Sequence, residues 1–181
     1  MIPSYSKDDG RRWYALRVFR RRILAVKQEA EEAGCCTYMA MHYVDRLDGR
    51  IVHDEVEMVP GLLFIRSTPE WIEAFKRAHF DGLMVYRDAK TGLAAPVDER
   101  QMEAFILLTS ARGAQKVMLL ENGAEQYAKG TRVRVIDGLL KGAEGVIRRI
   151  KKDRMFLVSI DGVAVVACTP MPPEFVEKIE S

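Results

Sequence analysis

The sequence predicts two domains of different class. An α+β domain covers residues 11–110, a small all-β barrel covers 129–181, and a linker at 111–128 joins them. Three observations predict this. Up to Ile106, alternating apolar runs interleave with apolar residues repeating every three or four positions, the periods of strands and helices. From Thr109 to Lys129 that periodicity is broken by Gly113, Asn122-Gly123 and scattered charge. Beyond the break, short alternating runs are separated by glycine turns, as in a small barrel.

Trp13 to Val18 reads as the first strand. Phe19, Ile23, Val26, Ala30 and Ala33 then recur on one helical face, and Gly34 stands where such a helix ends in the left-handed conformation. Arg20, Arg21 and Arg22 crowd the start of that helix, where the dipole disfavours cations, so an anionic partner and a solvated face are both open readings. Thr37 to Val44 alternates as a strand, Asp48-Gly49 marks a hairpin tip, and Ile51 to Met58 returns. Pro60 has no N–H to give to a ladder and belongs at a strand entrance, which makes Leu62 to Ile65 a buried central strand.

Thr68-Pro69-Glu70 is a helix cap with proline in the first turn, and Trp71, Ile72, Phe75 and Ala78 form the buried stripe that follows. Leu83 to Tyr86 gives a fourth strand. Asp98-Glu99-Arg100-Gln101 has the spacing of a capping box, with Asp as the cap, and opens a helix bearing Met102, Phe105 and Ile106. The order β-α-β-β-α-β with an appended helix is the ferredoxin-like plan. Within the linker, Val117 to Leu120 is apolar enough to dock.

The second domain opens with Gly130 to Ile150. Val133 and Val135 alternate with Arg132 and Arg134, the period of a half-buried strand. Asp137-Gly138 is a turn signal, and Gly142 and Gly145 sit where the chain must bend or let backbones approach. Val146 and Ile147 restart the apolar run. Met155 to Ile160 and Val163 to Cys168 pair around Asp161-Gly162, and Pro170 to Ile179 supplies a last strand.

Composition narrows the function classes. With 48% hydrophobic and 30% charged residues, the 181-residue chain is that of a soluble globular protein. No apolar run reaches the roughly 18 residues of a membrane span, and MIPSYSKDDGRRW lacks a secretion core, so a cytoplasmic protein is expected. Cys35, Cys36 and Cys168 form no disulfide framework or metal pair, as expected in a reducing compartment. His42, His53 and His79 have no ligand spacing. No phosphate-binding glycine loop, G-x-S-x-G or acid/base pair is present, and the expectation is a chain without catalysis or cofactor. Residues 129–154 hold nine Lys or Arg against three Asp or Glu, a phosphate-facing patch or a solvated one, although net charge is only +2.

Gly130 to Ile150 resembles the KOW motif of SH3-like barrels in ribosomal proteins and NusG-type transcription factors, through Gly130, Val133, Val135, Asp137, Gly138, Gly142, Gly145 and Val146. The Trp13-Tyr14 strand and Pro60-Gly61 before a central strand resemble the N-terminal (NGN) domain of the same factors. The resemblance runs from about Arg12 to Ile179, and LLFIRST and VDERQMEAF are similar to the UpxY-like antiterminators of capsular polysaccharide operons. It implies a ferredoxin-like NGN domain followed by an SH3-like KOW barrel. It further implies an elongation or antitermination factor that binds the clamp coiled coil of RNA polymerase, bridges the DNA cleft and suppresses pausing.

The positions matching the polymerase contact are Tyr14, Arg17, Val59, Pro60, Gly61 and Leu62, where Arg17 and Leu62 depart from the family's aromatic lining. Arg20, Arg21 and Arg22 match the region near the non-template DNA strand. The loop Ile160-Asp161-Gly162 carries a carboxylate where the family's KOW domain has an aromatic, which points to a specialised paralogue and leaves the KOW partner and the operon open. Two rivals remain. A ribosome-associated KOW protein that binds RNA would need a strongly basic chain, and a ferredoxin-like enzyme or sensor would need a convergent polar site.

Overall fold

The structure is a computed structural model and describes residues 5, 9–19, 21–47, 51–79, 81–110, 116–120, 130–150, 153–169 and 171–179. Arg20 and the Asp48-Gly49 tip lie outside the described residues. Among those described, the chain is mixed α/β, with three α-helices and several sheets. It divides between Val97 and Asp98 into two compact units.

The first unit contains β1 (Arg12–Val18), α1 (Ile23–Glu32), β2 (Cys36–Tyr38), β3 (Met41–Leu47), β4 (Ile51–Glu57), β5 (Leu62–Ser67), α2 (Pro69–Ala78), β6 (Leu83–Val85) and β7 (Pro96–Val97). Its main sheet runs β2-β5-β1-β6 with every neighbouring pair antiparallel, and β7 pairs with β1. The register sets Tyr14 opposite Ile65, Leu16 opposite Leu63 and Arg17 opposite Leu62. Alternation then puts Tyr14, Leu16, Val18, Leu63 and Ile65 into one core with Ile23, Val26 and Ala30 of α1 and Ile72 and Phe75 of α2. All six residues of β5 are buried, which is why this strand reads as a continuous apolar run closed by Arg66 and Ser67. Burial of each large apolar side chain here stabilises by about 1.5–3 kcal/mol.

Helix α2 forms where the sequence places it: the Thr68 hydroxyl accepts from the Trp71 N–H at 3.3 Å, and proline occupies the first turn. Helix α1 starts later than its apolar repeat suggests. Ile23, Val26 and Ala30 are buried as expected, but Phe19 precedes the helix and is 46% exposed, and Ala33 is exposed beyond its end. Phe19 continues the end of β1, its N–H donating to the Gly82 carbonyl at 3.0 Å, so strand geometry rather than the helical repeat fixes it. The run Thr37–Val44 is also two strands, not one. After Tyr38 the chain leaves the main sheet, and β3 and β4 form a two-stranded sheet of their own, closed at the base by Met58 N–H to Ala40 at 2.8 Å.

The second unit contains α3 (Glu99–Ser110), β8 (Lys116–Leu119), β9 (Thr131–Val135), β10 (Glu144–Ile150), β11 (Asp153–Ile160), β12 (Ala164–Thr169), a 3₁₀ turn (Pro173–Phe175) and β13 (Val176–Lys178). Its sheet runs β13-β9-β10-β11-β12-β8, all antiparallel. Phe156, Val158, Val166 and Cys168 share one buried face, and Met155, Leu157, Val165 and Ala167 cluster on the other.

Two placements differ from the expected boundaries. The linker range 111–128 contains strand β8, which pairs with β12 and lays Met118 and Leu120 on the Met155–Ala167 cluster. Helix α3, expected in the first domain, groups with the second unit and packs on β10, β11 and β12. Asp98 caps it, accepting from the Arg100 and Gln101 N–H groups at 3.0 and 3.1 Å. The reciprocal arm of the box goes elsewhere. Gln101 donates to Asp161 Oδ2 at 2.9 Å, and its Oε1 accepts from the Asp161 N–H at 3.3 Å, so the side chain that would close the cap grips the β11–β12 turn.

Candidate functional site

Of the sequence-predicted residues, Arg17 and Val59 to Leu62 gather where β1 ends and β5 begins, whereas Tyr14 lies farther along β1, opposite Ile65. Val59 to Leu62 is a tight turn: Leu62 N–H donates to Val59 at 3.1 Å, Pro60 is exposed at the second position, and Gly61 at the third has φ +72°. Proline followed by a left-handed residue is the type II pattern, which only glycine fills without strain. A Cβ on Gly61 would stand 2.6 Å from the Val18 carbonyl oxygen. The approach is fixed by the Val18 N–H, which donates to the Gly61 carbonyl at 2.8 Å, and Gly61's own N–H donates to a Glu57 carboxylate oxygen.

The turn does not offer the expected apolar depression at Tyr14 and Leu62. Tyr14 is 3% exposed because it lies on the helix side of β1, and burial raises its phenol pKa, with the Glu70 charge adding to the effect. Leu62 is 2% exposed and Val59 is buried. Of the six expected residues, Arg17, Pro60 and Gly61 reach solvent. Arg17 registers between Leu62 on β5 and Met84 on β6, and Met84 is 43% exposed.

Phe19, which helical periodicity assigns to the core, is exposed and follows Val18, whose N–H bonds Gly61 at this corner. Arg21 is exposed with φ +55°, a conformation uncommon outside glycine. Arg22 occupies the N-cap of α1 without capping it through its side chain, and no acidic residue stands in the helix's first turn. Cations, an exposed aromatic and uncapped helix N–H groups thus share one stretch of chain. The signal available in the sequence was the strand period of 13–19, which, continued through Phe19, sets it on the face of Arg17, opposite the Tyr14–Leu16–Val18 face, although Trp13 and Ala15 on its own face are buried.

A buried polar cluster lies along the same strands. Arg66 is 1% exposed, its Nη1 donates to both Asp9 oxygens at 2.9 and 2.7 Å, and its guanidinium lies 4.4 Å above the Tyr5 ring. The Arg66 hydrogen bond holds the Asp9 carboxyl below its ordinary value. Tyr5 also meets Trp13 edge-on at 5.4 Å. His79, one of the three histidines, is set by Glu29 at 3.1 Å and by the Phe75 ring, a packing role.

In the second unit the motif residues build a hairpin. Val133 and Val135 are buried while Gly130 is exposed. The Val135 N–H donates to Ala143 and the Gly142 N–H to Val135, closing the loop 136–143. Gly138 and Gly142 both take positive φ, and the Asp137 carboxylate accepts from the Gly138 N–H at 2.8 Å. Gly145 is demanded by close approach, since a Cβ there would collide with the Leu157 carbonyl and the Phe156 ring. Val146 is half-buried beside it. Leu140 plugs the loop from inside, whereas Ile136 and Leu139 are exposed. Arg134 is neutralised across the ladder by Glu144 at 2.6 Å. An open groove of about 410 Å³ beside this loop is lined by Arg100, Glu103, Leu107, Arg134, Lys141 and Glu144, among others.

Among the described residues no group of three or more His, Cys, Asp or Glu side chains is placed to hold a metal, and no helix is long and apolar enough to cross a membrane. No family model matches the chain, and no curated protein matches it. Among solved structures it is similar to NusG of Thermotoga maritima, from a structure concerned with that protein's domain interaction. The identity is 19%, covering 94% of this chain and 98% of that one, with a TM-score of 0.45.

Proposed function

We propose that this chain is a NusG-type elongation and antitermination factor, a specialised paralogue of the UpxY-like kind. In this reading the first unit is the ferredoxin-like NGN domain, the second carries the SH3-like KOW barrel, and the activity is binding without turnover. The observation that carries the reading is the pairing of the Trp13-Tyr14 strand with the strand that follows Pro60-Gly61. The two strands that carry the motifs lie side by side, with Trp13 and Tyr14 opposite Arg66 and Ile65 and the end of β1 bonded to the turn through Val18 and Gly61. The β2-β5-β1-β6 order supports the ferredoxin-like plan.

The corner of Arg17, Pro60 and Gly61, with Met84 beside it, is the surface that would meet the polymerase clamp coiled coil. Val59 and Leu62, both buried, hold that corner in shape from beneath, while Tyr14 lies farther along β1, opposite Ile65. Arg21 and Arg22, with Arg20 in the same stretch, would face the phosphates of the non-template strand, and Phe19 supplies a ring on which a base can stack. The Asp161 turn, engaged by Gln101, lacks the aromatic expected of a housekeeping factor, and this supports a dedicated operon such as one for polysaccharide synthesis.

The test is capture of purified core RNA polymerase by the chain, followed by terminator readthrough on a matched template. Arg17→Glu is expected to abolish capture with folding retained. Replacing Arg20, Arg21 and Arg22 together with Ala should lower readthrough and its salt dependence while capture persists. Failure to capture polymerase, with ribosomal RNA recovered instead, would refute the reading in favour of a ribosome-associated KOW protein.

A further inference from the structure

The β10–β11 hairpin concentrates positive charge in the second unit, as the stretch Arg17–Arg22 does in the first. From Arg148 to Arg154 the sequence has five Lys or Arg against one Asp, a net +4, while the whole chain carries +2, so everything outside these seven residues is net negative. A modest total charge therefore conceals a strongly cationic stretch in the second unit.

The ladder register sharpens this. Arg149 stands directly opposite Arg154, between the pairs Arg148–Met155 and Ile150–Asp153. Residues opposite one another in an antiparallel pair have Cβ atoms about 4.5–5.5 Å apart, and like charges in that position are destabilising. One strand over, the same sheet shows the relieved arrangement, with Arg134 opposite Glu144 and bonded to it at 2.6 Å. For Arg149 and Arg154 the described residues offer no such relief. Arg149 and Arg154 are both exposed, and among the described residues neither has an ion pair or side-chain hydrogen bond.

Two guanidinium forks held side by side on a ladder, with no neutralising partner among the described residues, fit an anion that supplies charge at short spacing. Planar forks recognise phosphate oxygens bidentately, and a repeating phosphodiester offers a second phosphate to the second fork. We propose that Arg149 and Arg154 form a binding site for the phosphodiester backbone of a nucleic acid, contacting phosphates and not base edges. Such contacts give affinity and position without sequence choice. The site lies in the second unit, apart from the Arg20–Arg22 stretch, and the inference does not rest on polymerase binding.

The experiment uses the full chain and fluorescence anisotropy with a labelled single-stranded DNA, its RNA counterpart and the DNA duplex, each at several salt concentrations. Wild type is compared with Arg149→Ala/Arg154→Ala and with Arg149→Glu. The double variant should bind all sequences more weakly. Its salt slope should fall by about 1.4 units on single strands and about 1.8 on duplex, from roughly 0.7 and 0.9 units per lost phosphate contact. The same drop is expected when Arg20, Arg21 and Arg22 are already Ala, which separates this site from theirs. A larger effect on RNA or on DNA identifies the source of the phosphates.

Arg149→Glu creates an opposite-charge cross-strand pair with Arg154, so its thermal midpoint should be unchanged or higher while binding is lost. Slopes and affinities equal to wild type would overturn the proposal. So would a loss of binding by Arg149→Glu that merely follows a loss of thermal stability. If the variants instead lose binding only to anionic phospholipid vesicles or to polyglutamate, the site belongs to a membrane surface or an acidic protein.

Discussion

Gly61→Ala separates two contributions that usually arrive together. Gly61 has φ +72°, and a Cβ there would stand 2.6 Å from the Val18 carbonyl oxygen, a backbone atom that cannot turn aside. The left-handed conformation alone costs a non-glycine residue about 1–2 kcal/mol. Relieving the collision requires β1 and the turn to part, which weakens the 2.8 Å bond from Val18 N–H to Gly61, about 1 kcal/mol more. The sum is about 2–3 kcal/mol. At roughly 4–8 °C per kcal/mol for a domain of this size, the midpoint should fall by roughly 10–20 °C. Gly92→Ala is the control, because Gly92 has φ +68° with nothing within 4 Å of the added Cβ. The assay is thermal unfolding of both variants by circular dichroism. Equal midpoints would refute the claim that backbone approach, beyond the φ requirement, fixes this turn.

Three further outcomes follow from the same reasoning. Asp9 has a depressed pKa in the folded chain, so its tie to Arg66 contributes at neutral pH and is lost as pH falls from the ordinary 3.8 through the lower folded value; Asp9→Asn should therefore flatten the acid limb of a stability–pH profile, and an unchanged limb would remove Asp9 from the account. Leu62→Asp, at a position 2% exposed, should abolish cooperative unfolding of the first unit, whereas Arg17→Glu at the same corner should leave it intact; a folded Leu62→Asp would show that this side chain serves a partner instead. A fragment of residues 98–181 should unfold at a higher temperature than one of 129–181, because only the longer keeps α3 and lays Met118 and Leu120 on Met155, Leu157, Val165 and Ala167; equal midpoints would make β8 and α3 dispensable.

Local chemistry was legible in the sequence. Thr68 and Asp98 cap the helices their spacing announces, since a cap depends on a side-chain oxygen and N–H groups two or three residues away. Pro60-Gly61 and the loop 136–143 turn where glycine and proline place them, and the strands flanking Asp161-Gly162 pair as the alternation predicts. The order of helices and strands followed, because periods of two and of three to four are local properties.

What lies on the far side of each face was not local, and tertiary structure alone decided it. Alternation divides β1 into two sets but does not say which is covered, and the helices took Tyr14 while Leu62 was buried as well, leaving Arg17 and Pro60 to meet solvent. Val117 to Leu120 had apolar character but no partner until β12 offered an edge, and Gln101 had the spacing of a capping arm until the Asp161 turn came within its reach. Arg149 and Arg154 are five residues apart in a basic run, and only the register of β10 on β11 makes them a facing pair. The sequence by itself determined most of the elements, the caps of α2 and α3 and the glycine turns, because those depend on neighbours along the chain. Burial, strand allegiance and charge opposition depend on neighbours across space, which only the folded packing supplies.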